Sequence, residues 1–425
     1  MIWYPYTAQL GSMDPIKIVS AKGEILFTEA GEEIIDAISS WWISIHGHNH
    51  PKIIEAVREE ILKLDHVLLA GFTNEKAERL ADKLLEFTNK IFHRVFYSDN
   101  GSCAMEIALK IGIQYFKNLG MESKKQIIKF SLNYHGDTIG AMSISGDSIF
   151  NSSFKNQLFE TKEFISPDCN NCPVGKKKIS CKEECIIDLE RYIVEHKNEI
   201  AVLTIEPLVF GANGMRFYKK EVLQKLCKVC KENDIIFILD EVFTGFGRTG
   251  KNFAYELAEI KPDIIAIAKG LSGGVLPIAA TLVNQKVYEA FKSSDPSKVF
   301  YHGHTMTGNP SASAAALASI ELYEEENRIE DVLILEFHLK KYLHEMKLRL
   351  GDTILNERVL GAIAAFELNV KKQVKSIQTI REECLSKGIL IRPLGNTIYI
   401  TPTYTIRKEN LQKIFNVIEE VIQID

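Results

Sequence analysis

The sequence lacks any apolar run of the roughly 18 residues needed to cross a bilayer. Its first residues also lack the basic segment followed by an apolar one that marks a signal peptide. There is no excess of positive charge, because 51 lysine and arginine residues stand against 56 aspartate and glutamate residues, for a net charge of −5. These absences argue against a membrane span, secretion and nucleic-acid or anionic-membrane partners, and they predict a cytoplasmic protein.

Cysteine is scarce, and half of it falls in one stretch. Eight cysteines without a signal peptide favour reduced thiols or a metal site over a disulfide framework. Residues 165–185, ISPDCNNCPVGKKKISCKEEC, form a polar insertion with the spacing C-x2-C-x8-C-x3-C. This spacing fits a tetrahedral zinc site, an iron–sulfur cluster or a surface loop of free thiols. The candidate metal ligands are Cys169, Cys172, Cys181 and Cys185.

Short apolar runs alternate with helical stretches from about residue 73 onward. The runs lie at 95–97, 127–130, 202–205, 235–239, 264–268 and 278–283. This alternation predicts an α/β fold whose mostly parallel sheet is covered by helices. Residues 309–350, rich in Ala, Leu and Glu, predict a long helix, and a smaller α+β unit follows Gly361. We expect an amino-terminal arm with part of the small domain at 1–45, a large cofactor-binding domain at 46–310 and a small domain at 311–425.

Two of these runs end in charged residues. Asp240 and Glu241 follow the run 235–239, and Lys269 follows the run 264–268. Open α/β sheets bind ligands at the carboxyl ends of their strands, so we expect the carboxylate and the amine to share a site. A carboxylate that keeps a ring nitrogen protonated and a lysine that forms an imine are both requirements of pyridoxal phosphate (PLP) chemistry.

Other motifs allow more than one interpretation. Gly101 and Ser102 open a helix, whose amino terminus either binds a phosphate or is simply capped by small residues. Tyr134 follows a strand, where its ring either stacks on a planar cofactor or packs on a loop. GFGRTG at 245–250 matches the dinucleotide pattern G-x-G-x-x-G, but the two carboxylates before it would repel a pyrophosphate. A loop is the better interpretation, with Arg248 serving the substrate or holding the loop by ion pairs.

Three histidines at alternate positions imitate a metal cluster. They are His46, His48 and His50, just before the proline that begins a helix. No carboxylate is interleaved with them, so loop structure is the favoured interpretation.

Six stretches, in this order and spacing, resemble the fold type I aminotransferases that include ornithine and 4-aminobutyrate aminotransferases. They are DNGSCAMEIALK, NYHGDTIGAM, IEPLVFGANGM, ILDEVFTGFGRTG, PDIIAIAKGLSGG and HGHTMTGNPSA. The resemblance covers nearly the whole chain and implies PLP as cofactor and a homodimer with shared active sites. Four further stretches resemble the branch of this family that aminates 8-amino-7-oxononanoate in biotin biosynthesis. They are WYPYT, SSWWISIHGHNHP, FYHGHTMTGNP and IRPLGNTIYITPTY.

The resemblance implies a role for each residue of the reacting centre. Lys269 would link covalently to the cofactor and then move a proton, and Asp240 would keep the ring nitrogen protonated. Val242 and Tyr134 would flank the ring, with Tyr134 also a catalytic residue. The other cofactor contacts implied are Gly101, Ser102 and Glu206, joined by His304 of the partner subunit and Thr305 of the partner subunit.

The resemblance also implies a substrate site drawn from distant parts of the chain. Its residues are Tyr6, Trp41, Tyr134, Lys269, Gly303 and Arg392. Arg392 would pair with the far carboxylate of the substrate, as a guanidinium does well. Without the resemblance, the aromatic residues Tyr4 and Trp42 are interpreted as anchors of an arm at a dimer interface.

Several alternatives stay open at this point. The implied amino donor is S-adenosylmethionine, with lysine as the alternative. Another ω-aminotransferase, acting on a diamine or on 4-aminobutyrate, is the nearest different function. A metal-binding or redox regulatory protein built on the insertion and a nicotinamide dehydrogenase using GFGRTG are the more distant ones.

Overall fold

The computed structural model describes residues 2–8, 10, 14–177, 179–372 and 375–423. Within these residues the main sheet has seven strands, in the spatial order Arg94–Ser98, Ala279–Val283, Ile264–Ile267, Ile236–Asp240, Ile200–Ile205, Gln126–Phe130 and Lys162–Phe164. Neighbouring strands are parallel except at Ala279–Val283, which is antiparallel to both of its neighbours. The predicted mostly parallel sheet is confirmed, and the six predicted runs are strands with bounds shifted by one or two residues.

The main sheet is buried on both faces. Side chains of strand Ile236–Asp240 alternate between two apolar clusters, because successive residues of a strand point to opposite faces. Ile236 and Ile238 pack in the cluster that includes helix Gly101–Asn118, whereas Phe237 and Leu239 pack in the other cluster. The continuous apolar run 235–239 is therefore explained by burial on two sides.

Helices occur throughout the chain between the strands. Their bounds are Pro51–Lys63, Glu75–Phe87, Gly101–Asn118, Ile139–Ser143, Ile187–His196, Lys220–Glu232, Ala254–Leu257, Gln285–Glu289, Pro310–Glu325, Arg328–Leu350, Ile377–Ser386 and Lys408–Ile422. No helix in the described ranges is both long enough and apolar enough to span a membrane.

One predicted helix is confirmed as helical but is interrupted. The stretch 309–350 reads as one long helix, but the structure has two, Pro310–Glu325 and Arg328–Leu350. Asn327, between them, has a φ of +49°, a left-handed conformation that asparagine tolerates better than most residues. The first of these helices packs on Pro51–Lys63 and Glu75–Phe87.

Smaller sheets join segments that are far apart in sequence. Strands Ile18–Lys22, Ile25–Thr28 and Glu33–Asp36 form one sheet, which Ile389–Leu390 completes by pairing in parallel with Glu33–Asp36. Strands Ile354–Leu360, Ile363–Leu368 and Thr397–Ile400 form another, and Val209–Phe210 pairs with Arg216–Phe217. The domain boundaries expected from the sequence stay a prediction.

Candidate active site

A cavity of about 510 Å³ opens at the carboxyl ends of the main-sheet strands. Strands Ile236–Asp240 and Ile264–Ile267 are parallel neighbours, with Asp240 opposite Ala266. Asp240 and Lys269 therefore both line this cavity. Its size falls within the roughly 300–1,000 Å³ of small-molecule sites. The carboxylate and the amine expected at the strand ends share one pocket.

Asp240 is held in a fixed orientation. It is the last residue of its strand and is buried. Its Oδ2 atom lies 2.7 Å from Nδ1 of His135, and its Oδ1 atom accepts a hydrogen bond from the Val242 amide at 3.0 Å. His135 is buried too, with its Nε2 atom 3.4 Å from Oγ1 of Thr204. With a partner on each oxygen, the carboxylate cannot rotate freely.

Glu206 is a second buried carboxyl group in the cavity. Its Oε1 and Oε2 atoms accept hydrogen bonds from the amides of Tyr134 and Gly211, each at 2.9 Å. Burial and the negative charge of Asp240 raise the pKa of Glu206 to about 8, although the two amides and Lys269 oppose the shift. Glu206 is therefore mostly protonated near pH 7.

Lys269 begins a 3₁₀ turn directly after its strand region. Its φ is +48°, a left-handed conformation that costs a non-glycine residue about 1–2 kcal/mol. Burial lowers the pKa of Lys269; the charges of Asp240 and Glu206 oppose the shift, and Arg248 adds to it. The amine therefore loses its proton at a lower pH than an exposed lysine, which favours nucleophilic or base chemistry.

Helix Gly101–Asn118 begins at the edge of the cavity. The side chain of Asn100 caps it, and Gly101 and Ser102 line the cavity. A Cβ atom on Gly101 would lie 2.8 Å from Cγ1 of Val242, so the chain packs closely here. The cavity thus includes a helix amino terminus, where amide groups and the helix dipole favour an anion.

Two tyrosine hydroxyls and a carboxylate meet at the mouth of the cavity. The Tyr134 hydroxyl donates to Oδ1 of Asp137 at 3.1 Å, and the Tyr6 hydroxyl donates to Oδ2 of the same carboxylate. The two hydroxyl oxygens are 3.4 Å apart. Burial raises the pKa of both tyrosines, and the nearby Asp137 adds to the shift. Both phenols therefore stay protonated at neutral pH.

Residues Ser39–Trp42 form a left-handed turn. Their φ angles are +51°, +45°, +71° and +77° in chain order, a conformation that L-residues adopt rarely and almost never in a run. The turn brings Trp42 into the cavity, where Nζ of Lys269 lies 5.0 Å from the centroid of the indole ring. Trp42 is only 5% exposed, so its interpretation as an interface anchor is wrong.

Trp41, Tyr6 and Arg392 meet beside this turn. The Arg392 guanidinium lies 4.5 Å from the centroid of the Trp41 ring, and Tyr6 contacts the same ring edge-on at 5.2 Å. Nη2 of Arg392 donates to the carbonyl oxygen of Tyr6 at 3.3 Å. Burial lowers the pKa of Arg392, but a guanidinium stays charged at neutral pH. The structure therefore brings together three residues that the resemblance assigned to substrate.

Gly303, His304 and Thr305 lie apart from the cavity of their own chain as the structure describes it. Gly303 and Thr305 are exposed. The amide of His304 donates to Oγ1 of Thr307 at 3.1 Å, within a loop. Their contacts with cofactor and substrate stay a prediction.

The sequence profile of the class-III aminotransferases matches residues 6–422. The chain belongs to the class-III aminotransferases. The curated relatives match this chain over nearly its whole length and over nearly their own. An adenosylmethionine-8-amino-7-oxononanoate aminotransferase of Synechococcus elongatus is 39% identical, covering 99% of this chain and 98% of the relative. The enzyme of the same name from Geobacter sulfurreducens is 37% identical, covering 99% and 95%.

Solved structures of aminotransferases share the fold. The crystal structure of adenosylmethionine-8-amino-7-oxononanoate aminotransferase from Methanocaldococcus jannaschii has a TM-score of 0.91 at 35% identity, covering 99% of this chain and 96% of that one. An amine transaminase from an uncultivated Pseudomonas species, in its PLP-bound (internal aldimine) form, has a TM-score of 0.93 at 26% identity, covering 99% and 98%.

Arg248 of this aminotransferase has a different setting from the one expected. It is 1% exposed and donates to the carbonyl oxygens of Pro402 at 3.1 Å and Trp42 at 3.4 Å. Its guanidinium also lies 5.0 Å from the centroid of the Tyr404 ring. The ion pairs expected to hold the loop are not seen among the described residues, and carbonyl hydrogen bonds hold it instead. Residues 245–250 do not begin a helix, so the dinucleotide interpretation lacks its structural context.

The three histidines before helix Pro51–Lys63 lie in a loop, and His46 and His48 have separate partners. Nδ1 of His46 accepts from Nε of Arg328 at 3.2 Å, and Nε2 of His46 lies 3.1 Å from Oγ of Ser319. Burial lowers the pKa of His46 to about 3, so its ring is neutral. His48 pairs with Asp36.

The cysteines of the insertion are free thiols and half-buried. Burial raises the pKa of Cys185 to about 12, and the charges of its three fellow cysteines add to the shift. Backbone amides donate to two of the sulfurs, Cys172 Sγ at 3.3 Å and Cys181 Sγ at 3.4 Å. Over the ranges that the structure covers, no three His, Cys, Asp or Glu residues are arranged to hold a metal ion. A metal at these cysteines stays a prediction.

Sequence reasoning missed three residues of the site. Trp42 lines the cavity, His135 orients Asp240, and Asp137 joins the hydroxyls of two tyrosines. His135 and Asp137 flank Gly136 in the motif YHGD, so the position of Tyr134 at a strand end was a signal for its neighbours as well. For Trp42 the local signal was absent, because a left-handed turn is not readable from SSWW.

Proposed function

We propose that this chain is the PLP-dependent transaminase that converts 8-amino-7-oxononanoate to 7,8-diaminononanoate in biotin biosynthesis, with S-adenosylmethionine as amino donor. One observation carries the proposal. The amine of Lys269 and the carboxylate of Asp240 share a cavity at adjacent strand ends, in a chain whose named relatives are aminotransferases for this substrate. A cytoplasmic location remains part of the proposal.

The cavity fits PLP at each end. A helix amino terminus at Gly101 and Ser102 suits a phosphate, and an oriented carboxylate at Asp240 suits a protonated ring nitrogen. When bound, PLP supplies an electron-withdrawing ring that stabilises negative charge at the reacting carbon. Val242, packed against Gly101, supplies an apolar wall between these two ends.

The chain's own residues then have distinct tasks. With PLP bound, Lys269, whose pKa is lowered by burial, would be the base that moves a proton between the Cα atom of the amino donor and the C4′ carbon of the cofactor. Asp240, fixed by His135, keeps a proton on the ring nitrogen. Glu206, with its pKa raised to about 8, adds little negative charge near neutral pH. Asp240 is therefore the main anion facing the ring.

Gly136 supports the proposed phosphate end, and its replacement is a direct test. Gly136 has a φ of +118°, and a Cβ atom there would lie 1.7 Å from Oγ of Ser102. We expect Gly136→Ala to weaken PLP binding about 5- to 150-fold, as overpacking of about 1–3 kcal/mol implies. Titration of the cofactor's visible absorbance measures this. Gly120→Ala is the matched control, because Gly120 has a φ of +77° but open space around it. Equal loss in both variants would show backbone strain alone.

Arg392 is the proposed partner of the substrate's far carboxylate. We expect Arg392→Ala to raise the KM for 8-amino-7-oxononanoate about 10- to 150-fold, because a charged hydrogen bond contributes about 1.5–3 kcal/mol. The rate of the half-reaction with S-adenosylmethionine should change less. Arg349→Ala, which removes an exposed arginine paired with Glu419, is the control. An unchanged KM for the acceptor would remove Arg392 from the substrate site.

A homodimer with shared sites is part of the proposal. Two neighbouring segments expose large apolar side chains, and contacts between Leu69 and Gly308 and between Asp65 and Asn309 join the segments into one face. The exposed residues of this face are Ile61, Leu62, Leu68, Phe72, Tyr301 and Met306. A face of this kind marks an interface. The proposal places a second copy on this face, with Thr305 of the partner subunit at the phosphate end, as the resemblance implies.

Mixed dimers test this arrangement. We expect Lys269→Ala and Thr305→Glu homodimers each to be nearly inactive, the second because its carboxylate repels the phosphate. Refolding the two together should restore up to about a quarter of wild-type activity. About half of the refolded dimers are mixed, and each mixed dimer keeps one of its two sites intact. A mixture no more active than the sum of its components would show that each site is complete in one chain.

A product assay tests the function itself. Purified protein with PLP and 8-amino-7-oxononanoate should form 7,8-diaminononanoate when S-adenosylmethionine is added, as followed by mass spectrometry. Parallel reactions contain lysine in place of S-adenosylmethionine, or 4-aminobutyrate as the only amine. Turnover of 4-aminobutyrate with no amination of 8-amino-7-oxononanoate would replace the proposed function with another ω-aminotransferase activity.

A further inference from the structure

The left-handed turn Ser39–Trp42 is tied to one buried carboxylate. Asp36 is 1% exposed and ends the strand Glu33–Asp36. Its Oδ1 atom accepts from the Ile38 amide at 3.2 Å, and its Oδ2 atom accepts from the Ser40 hydroxyl at 2.8 Å. Oδ2 also lies 3.0 Å from Nε2 of His48.

The hydrogen bonds inside the turn do not select its hand. The Trp42 amide donates to the Ile38 carbonyl, and the Ile43 amide donates to the Ser39 carbonyl. A right-handed turn would make the same pattern of bonds and would avoid the clash of Cβ atoms with carbonyl oxygens. The unfavourable hand must therefore be stabilised by contacts from outside the turn.

The outside contacts reach the turn from both sides. Asp36 holds the entry through the Ile38 amide and holds the middle through the Ser40 hydroxyl. The Ser39 hydroxyl donates to the carbonyl of Thr401 at 2.7 Å. Burying a carboxylate costs free energy unless it is hydrogen-bonded. The hydrogen-bond partners of the Asp36 carboxylate lie in the turn and in the loop that follows it.

The hand of the turn decides where its two tryptophans lie. Trp42 faces Lys269 inside the cavity, and Trp41 faces Arg392 and Tyr6 at its mouth. Reversing the hand would rotate both indoles away from these partners. Asp36 itself does not line the cavity that the structure describes.

We propose that Asp36 is a positioning residue for acceptor specificity: with Ser40 and His48 it holds the left-handed turn that presents Trp41 and Trp42 to the substrate. The proposal rests on the proposed function for the identity of the acceptor. It assigns to a residue outside the cavity the placement of one aromatic ring inside it, Trp42, and of another beside Tyr6 and Arg392, Trp41.

Substitutions at Ser40 give the sharpest test, because its φ is +45°. Ser40→Ala removes the hydroxyl and keeps the Cβ atom, whereas Ser40→Gly removes both and tolerates a positive φ. We expect Ser40→Ala to raise the KM for 8-amino-7-oxononanoate about tenfold and Ser40→Gly to raise it less than about threefold. In an ordinary helix the order would be reversed, since alanine is favoured over glycine. Equal KM values, or the reverse order, would overturn the proposal.

Asp36→Asn is the second variant, and Glu24→Gln is its matched control. Glu24 is buried in the turn between strands Ile18–Lys22 and Ile25–Thr28 of the same sheet. Its carboxylate accepts from Arg407 at 2.8 Å and Asn410 at 2.6 Å and does not touch the turn Ser39–Trp42. We expect both variants to lower the melting temperature. Only Asp36→Asn should raise the acceptor KM, while kcat changes less and the half-reaction with the donor is nearly unaffected. A shift in melting temperature with the same KM in both variants would mean a structural role alone.

Near-ultraviolet circular dichroism of the holoenzyme separates this inference from the proposed function. Trp41 and Trp42 are two of three tryptophans, so loss of the turn should change the indole signal in Asp36→Asn and Ser40→Ala but not in Glu24→Gln or Ser40→Gly. This result is expected even if wild-type protein fails to aminate 8-amino-7-oxononanoate, in which case only the proposed function is lost. An unchanged indole signal in Asp36→Asn would overturn the inference whatever the substrate is.

Discussion

Lys269→Ala should lose at least about 10³-fold in turnover, the largest effect expected of any substitution in this chain. The variant removes the amine that stands opposite Asp240 in the cavity and whose pKa is lowered by burial. A second readout does not depend on turnover. Borohydride reduction in the presence of PLP should add the mass of the cofactor less one oxygen atom to the wild-type chain, because the imine forms with loss of water and then gains two hydrogens. The variant should stay unmodified.

Lys124→Ala is the matched control for this prediction. Lys124 is also buried, its pKa is also lowered by burial, and its Nζ donates to the carbonyl of Asp234 at 2.6 Å. It lies outside the cavity, so we expect lower stability with unchanged turnover per folded molecule. A Lys269→Ala protein that kept more than about a tenth of wild-type activity would refute the role given to Lys269, because base catalysis alone contributes about 100-fold or more to the rate.

Asp240→Asn is expected to lower kcat about 10²- to 10³-fold, which is typical when one preorganised electrostatic contact is removed. The amide has the size of the carboxylate, so packing beside His135 should be preserved. A neutral amide cannot hold a proton on a ring nitrogen, and the ring then stabilises negative charge less well. KM values should change little, because the substrate does not need this contact to bind.

Glu241→Gln, one residue further along the chain, is the control. It shows whether a loss of kcat comes from removing the charge at the site or from replacing any buried carboxylate. Glu241 is fully buried and accepts from the amides of Tyr255 at 2.9 Å and Ala254 at 3.1 Å and from the Thr244 hydroxyl. These are structural contacts, so the control should lower the melting temperature and keep kcat. If Asp240→Asn retained wild-type kcat, the proposed role of Asp240 would be wrong.

The main sheet was predictable because its signal is local. A buried parallel strand is a short apolar run, and each run carries its own boundary signals. The placement of Asp240 and Lys269 in one cavity followed from the rule for strand ends, without knowledge of any contact. The strand Lys162–Phe164 was missed because three residues, two of them charged, carry no apolar pattern. The break at Asn327 was missed because one left-handed residue does not disturb helical periodicity over its neighbours.

The substrate side was less predictable, because its geometry depends on contacts between distant residues. Trp41 and Trp42 are adjacent in sequence, yet they serve different partners, since the turn between Ser39 and Trp42 is left-handed. That hand is set through Asp36 and through the carbonyl of Thr401, neither of which a local pattern reveals. The catalytic and binding roles of the site residues remain predictions for the experiments above.

The pairing of Glu33–Asp36 with Ile389–Leu390 has a consequence for synthesis on the ribosome. Every strand of the main sheet lies before residue 284, whereas the partner of Glu33–Asp36 emerges much later. Nascent chains fold from the amino terminus as they emerge, so the main sheet is free to form first. The wall formed by Trp41 and Arg392 is then completed last. A newly made chain would thus offer a place for PLP before it could distinguish one substrate from another.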